Sequence, residues 1–221
     1  MEAETKVEEI RVWDLPVRLF HWLLVVAFAV SYITEGEPEV IHVWSGYGIA
    51  ALVVLRIFWG FRGPDYARFS GFMHSPGKIF SYLWRLIGGG ATRYVGHSPA
   101  GGAMTITLLL SLAATVLAGM TLLAADDNEG PLAGMISPGI RAEYGLPSLA
   151  GIAARKASEE ADEAEEKRPR NAAVHEIKEV HEFLANLTLA LIILHLGGVG
   201  LASYRHRENL ARAMVTGNKR P

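Results

Sequence analysis

Residues 180–198 read VHEFLANLTLALIILHLGG, and the fold turns on this stretch. It opens an apolar run, residues 183–204, that carries no Asp, Glu, Lys or Arg. A run of that length crosses a hydrocarbon core roughly 30 Å thick when helical. His181 and His195 lie 14 residues apart in it. At about 100° and 1.5 Å per residue, His195 returns to within roughly 40° of the face of His181, some 21 Å further along. Ionisable groups at such depth are expensive and mark function by default, and a neutral imidazole is a common metal ligand. Two sites on one helix, near opposite membrane surfaces, are implied.

The rest of the chain agrees. Its 221 residues are 50% hydrophobic and 20% charged, with a mean hydropathy of +0.21. That is too apolar for an ordinary globular domain, and the charge is gathered into blocks. There is no cysteine, which excludes disulfides, thiolate metal sites, iron–sulfur clusters and covalent c-type haem. The first 18 residues are polar and acidic, and the apolar run after them is long enough to stay in the membrane, so no cleavable signal peptide is expected.

Four spans are predicted, at about 15–33, 43–61, 103–125 and 180–204, in a single membrane domain over 1–221. The second contains Arg56, with Arg62 close behind, which puts Arg56 near a surface or against an anionic group. Residues 62–100 hold five basic residues against one acid, as do residues 203–221. Residues 34–41 hold Glu35, Glu37 and Glu39 with no base, and 126–179 hold twelve acids against seven bases. Because Lys and Arg collect on the cytoplasmic side, the predicted fold is an all-α, four-helix transmembrane bundle with both termini cytoplasmic and 126–179 periplasmic. The N-terminal tail, with more acids than bases, is a mild exception.

Among the connections, residues 78–87 (KIFSYLWRLI) suit either an interfacial amphipathic helix ended by Gly88 to Gly90 or a loop packed against the bundle. The outer segment starts Gly/Pro-rich, turns Ala/Glu/Lys-rich over 151–167 and breaks at Pro169; a short soluble helix resting on a partner or on the bundle is expected there.

Depth pairs the histidines. His21 lies six residues into the first span and His195 six residues before Leu201 near the inner end of the fourth, while His42 opens the second span at the outer surface, where His181 enters the fourth. The expected pairs are His21 with His195 and His42 with His181, on spans one, two and four, with the third span packing and supporting. A lone histidine in an apolar span is more often a packing residue, but four that match in pairs are not. Two-histidine sites lack the four ligands zinc wants, whereas haem needs only two from the protein. Two non-covalent, bis-histidine haems are therefore expected. Gly46, Gly48, Gly197, Gly198 and Gly200 either make room for porphyrin or let helices pack closely.

The phrases VWDLPVRLFHW (12–22), HVWSGYGIAALVVLRIFWGFRGP (42–64), YVGHSPAGG (94–102), VHEFLANLTLALIILHLGG (180–198) and HRENLARAMVTGNKR (206–220) resemble bacterial cytochrome b561. The likeness is to the branch with the b-type cytochrome subunit of nickel–iron hydrogenases, and it covers nearly the whole chain. It implies two b-type haems on two histidine pairs, the same pairs as above, and residence in the bacterial inner membrane. The charged stretch 158–170 departs from the family and leaves the partner open.

Arg56 either neutralises a haem propionate or snorkels to lipid headgroups, and Arg18, one turn before His21, is a second candidate for that role. His175 is the rival of His181, but lies too far from His195 to share the hydrophobic zone. His74, His97 and His206 fall in inner connections, His97 shaping the start of the third span. Haems with both axial positions filled relay single electrons. The expected outer partner is a periplasmic dehydrogenase, hydrogenase or c-type cytochrome docking near the acidic segments, with quinone at the inner or lipid side by resemblance. Membrane lipid surrounds the spans, and no nucleic-acid partner is expected. A non-redox anchor for a periplasmic enzyme and an autonomous quinone oxidoreductase are the competing readings.

Overall fold

The computed structural model describes residues 9–34, 38–136, 148, 150–153 and 172–220. Four of its helices are long and apolar enough to cross a membrane: α1 (Leu15–Thr34), α2 (Glu39–Arg62), α4 (Pro99–Asp126) and α5 (Ala172–His206). Between α2 and α4 runs α3 (Pro76–Gly88), and after α5 come the short α6 (Leu210–Thr216) and β2 (Asn218–Lys219), which pairs with β1 (Ile10–Arg11).

Each expected span is present, and three are clearly longer than the apolar window suggested. Hydropathy stops at the first charge, whereas a helix stops where its backbone is capped. α2 takes in Glu39 in its first turn and Arg62 in its last, both favourable to the helix dipole. α5 begins eight residues before 180, carried by exposed i,i+4 pairs of His175 with Glu179 and Lys178 with Glu182. Along the spans Leu23, Val26, Leu55, Phe58, Leu110, Leu117, Ile193 and Leu194 stand exposed, the surface a lipid-facing helix needs.

The chain forms two compact units, residues 1–110 with 189–221, and residues 111–188. In the first, α1 and α2 pack along each other. One end is closed by the chain's two ends. Val12, Trp13, Val17, Ala67 and Ala213 form its core cluster, and the backbone N–H groups of Val12 and Trp13 donate to the Gly217 carbonyl at 2.9 and 3.0 Å. Gly217 sits at φ 87, and a Cβ there would lie 2.7 Å from the Trp13 oxygen, so only glycine fits. Asp14 caps α1 by accepting from the Val17 N–H at 3.0 Å and takes the Trp59 indole N–H at 2.7 Å.

Beside this closure, Arg93 donates to both Glu208 oxygens at 3.2 and 3.3 Å, and Lys219 lies 3.7 Å from the same carboxylate. Glu208 and Lys219 are both buried. Burial pushes the Glu208 carboxyl up, but Arg93, Lys219 and Arg220 outweigh it and hold it below the usual range. Removing one partner would strand a buried charge, at a cost of about 3–5 kcal/mol.

Residues 76–88 form the helix of the first reading rather than a loop. Ile79, Tyr82 and Leu86 turn inward, while Phe80, Trp84 and Ile87 form a neighbouring exposed apolar stripe. Gly89, at φ 87, ends the helix inside the expected glycine run.

In the second unit, α4 and α5 meet at a hydroxyl seam. Ser111 Oγ and Thr188 Oγ1 are 2.7 Å apart, with Thr115 Oγ1 3.2 Å from Thr188. Val174, Ala124 and Ala125 are fully buried nearby in sequence. Most of the expected charged helix over 151–167, the break at Pro169, the 158–170 stretch, and Glu35 and Glu37 lie outside the described residues.

Candidate functional site

His21 on α1 and His195 on α5 belong to the same unit. His21 Nδ1 is shut away from solvent with no hydrogen-bond partner. His42, in the first turn of α2, donates from Nδ1 to the Ser31 carbonyl of α1 at 3.0 Å. His181 on α5 donates from Nδ1 to the Thr115 carbonyl of α4 at 2.9 Å. A carbonyl can only accept, so each bond fixes the proton on Nδ1 and leaves the lone pair on Nε2, the tautomer an axial imidazole needs. His42 belongs to the first unit and His181 to the second.

Arg56 is 3% exposed although it carries a charge. Its Nη2 donates to the Ala67 carbonyl at 3.2 Å and its guanidinium lies 5.1 Å from the centre of the Phe69 ring. Nη1 is buried without a partner. Asp14 is the nearby carboxylate, but Nη1 itself is left with room for a further acceptor. Arg18, by contrast, is exposed at its head and donates from Nη1 to the Thr216 carbonyl at 3.1 Å, tying α1 to the end of α6.

The other histidines are occupied locally. His175 is exposed and pairs with Glu179. His74 Nδ1 donates to the Phe72 carbonyl at 2.9 Å, and His206 Nε2 meets the Tyr82 hydroxyl at 3.4 Å. His97 is wedged between Trp13 and Phe72, ring centres 4.7 and 4.2 Å away, and its Nδ1, like that of His21, is buried without a hydrogen-bond partner. Burial, with the nearby charges of Arg56 and Lys219, lowers its pKa to about 3 and keeps it neutral.

Three residues that matter here carry no side-chain signal in the sequence. Ser31 and Thr115 act through backbone oxygens, and Gly119 acts by being small: a Cβ on it would lie 2.9 Å from His181 Cε1. Conversely, a Cβ on Gly46, Gly48, Gly197, Gly198 or Gly200 meets nothing within 4 Å. Those glycines make no close helix contact, and Gly197, Gly198 and Gly200 are exposed.

Among the described residues no three of His, Cys, Asp and Glu gather into a metal cage. The donor set fits haem nonetheless. It offers imidazoles of defined tautomer and a buried cation with an unpartnered end.

Residues 12–217 match the family described as prokaryotic cytochrome b561. The chain belongs to the prokaryotic cytochrome b561 family. Searches among curated proteins and solved structures returned no match. As a cytochrome b561 the chain is a membrane b-type cytochrome of electron transfer, and the match spans all four histidines. The family carries b-type haem, and a membrane cytochrome works with redox partners in lipid.

Proposed function

We propose that this cytochrome b561 holds two haems b, one on His21 and His195 and one on His42 and His181, and relays electrons across the bacterial inner membrane. Its termini face the cytoplasm by the Lys/Arg bias of the loops. The outer partner is a periplasmic hydrogenase, dehydrogenase or c-type cytochrome, as in the hydrogenase-linked branch, and the inner exchange is with the quinone pool. The observation that carries this reading is the tautomer shared by His42 and His181, each fixed through Nδ1 on a carbonyl of a neighbouring helix.

Held by these imidazoles, haem would supply reversible one-electron chemistry. The chain does the rest. Its helices hold the rings at fixed depth, its apolar side chains exclude water, and the carbonyls of Ser31 and Thr115 keep two imidazoles in orientation. Arg56 is the propionate partner on the inner side, since its Nη1 is buried and unmatched. Arg18 is an outlying second contact, because its guanidinium already serves Thr216.

The test is haem stoichiometry on the purified, detergent-solubilised chain, with a reduced-minus-oxidised spectrum. Two haems per chain are expected, and His195→Ala is expected to lose one while still inserting in the membrane. A colourless protein, as an anchor would be, overturns the proposal, and so does retention of both haems in His195→Ala.

A further inference from the structure

α4 is the one span without a histidine. Its contacts with α5 within residues 111–188 nevertheless converge on His181. The Thr115 carbonyl accepts from His181 Nδ1 at 2.9 Å. One turn further along, Gly119 leaves the gap in which the ring lies, its absent Cβ falling 2.9 and 3.2 Å from Cε1 and Nδ1. Real Cβ atoms do not approach that closely, so any side chain at this position must displace the imidazole. The ring is therefore held from two directions, by a bond at Nδ1 and by a backbone surface beneath its Cε1 edge.

The register that brings these groups together is set by the hydroxyl seam. Thr115 Oγ1 donates to the Ser111 carbonyl at 2.8 Å and Thr188 Oγ1 to the Leu184 carbonyl at 2.8 Å. Each hydroxyl has one proton, so the remaining proton, on Ser111, goes to Thr188 Oγ1 at 2.7 Å. Every proton is consumed inside the seam. It is a fixed joint between α4 and α5, and Thr188 at its centre is fully buried. Sliding α4 by one residue would break the seam and carry both Thr115 and Gly119 away from the ring.

We propose that Gly119, with the Ser111–Thr115–Thr188 seam, positions His181 as an axial ligand, so that the histidine-free span sets the orientation and basicity of the outer imidazole. The inference rests on His181 being a haem ligand. Groups that orient a metal-bound histidine typically change affinity roughly 10- to 100-fold when lost.

Gly119→Ala is expected to weaken outer-haem binding about 10-fold or more and to shift the low-spin ferric resonance of that haem, which reports the angle of its axial rings. The inner-haem resonance should be unmoved. Leu117→Ala, on the exposed face of the same helix, is the control and should change neither. Because Gly119→Ala adds bulk, Thr188→Val provides a second test that removes a hydroxyl at constant volume; it should shift the same resonance, and Thr188→Ser should restore it. The inference is overturned if Gly119→Ala and Thr188→Val leave the outer signal unchanged, or if either loses both haems together. Failure of the underlying reading looks different: wild-type protein without haem, or His181→Ala that keeps both.

Discussion

His97 shows how a single buried ring can make this protein sensitive to acid. Its pKa falls to about 3 from the usual 6.5 because burial and the Arg56 and Lys219 charges oppose a proton on it. The unfolded chain therefore binds that proton more readily between those values. The stabilising contribution of the neutral ring is complete above pH 6.5 and drains away as pH falls toward 3. Between pH 6.5 and 5 this amounts to about 1.5 kcal/mol. His97→Phe, which keeps the packing between Trp13 and Phe72, is expected to flatten the fall of the melting temperature over that window, measured by circular dichroism in detergent. An equal slope in both proteins would contradict it. The four ligand candidates were legible at this scale because an ionisable side chain in an apolar run is conspicuous. Ser31, Thr115 and Gly119 were not. A backbone oxygen is the same in every residue, and a glycine kept for the space beneath a distant ring looks like any other helical glycine.

At the scale of elements, apolar length located all four spans but not their ends, since α2 and α5 continue through charged turns that hydropathy excludes. α3 was ambiguous for a related reason. Its apolar residues occupy two adjoining stripes, and periodicity alone cannot tell which is covered. Ile79, Tyr82 and Leu86 face the protein, and Trp84, 81% exposed, stands on the free stripe. An indole next in sequence to Arg85, on a helix that also carries Lys78, suits the headgroup level of a bilayer. In proteoliposomes, Trp84 fluorescence is expected to be quenched by lipids labelled near the headgroup and little by labels at the chain ends. The comparison with Trp84→Phe isolates its signal from the other tryptophans. Absence of any lipid quenching would place the stripe in water.

For the whole molecule, the distribution of Lys and Arg makes a direct statement about direction. The chain has no cysteine, so single replacements report topology without background. Ser70→Cys, between α2 and α3, is expected to resist a membrane-impermeant maleimide in intact cells, whereas Glu129→Cys, after α4, should label. The reverse pattern would invert the proposed orientation. The architecture of four spans was legible in the sequence, but the closure by β1 and β2 was not. Two-residue strands carry no periodicity, and their pairing depends on groups from opposite ends of the chain. That pairing has a consequence for biosynthesis. Ile10 and Arg11 leave the ribosome early, yet their partners Asn218 and Lys219 arrive only after every span has been made. Until then Ala213 and the Gly217 carbonyl are missing from the cluster around Trp13 and Val17, so this end of the first unit is the last part of its core to be completed.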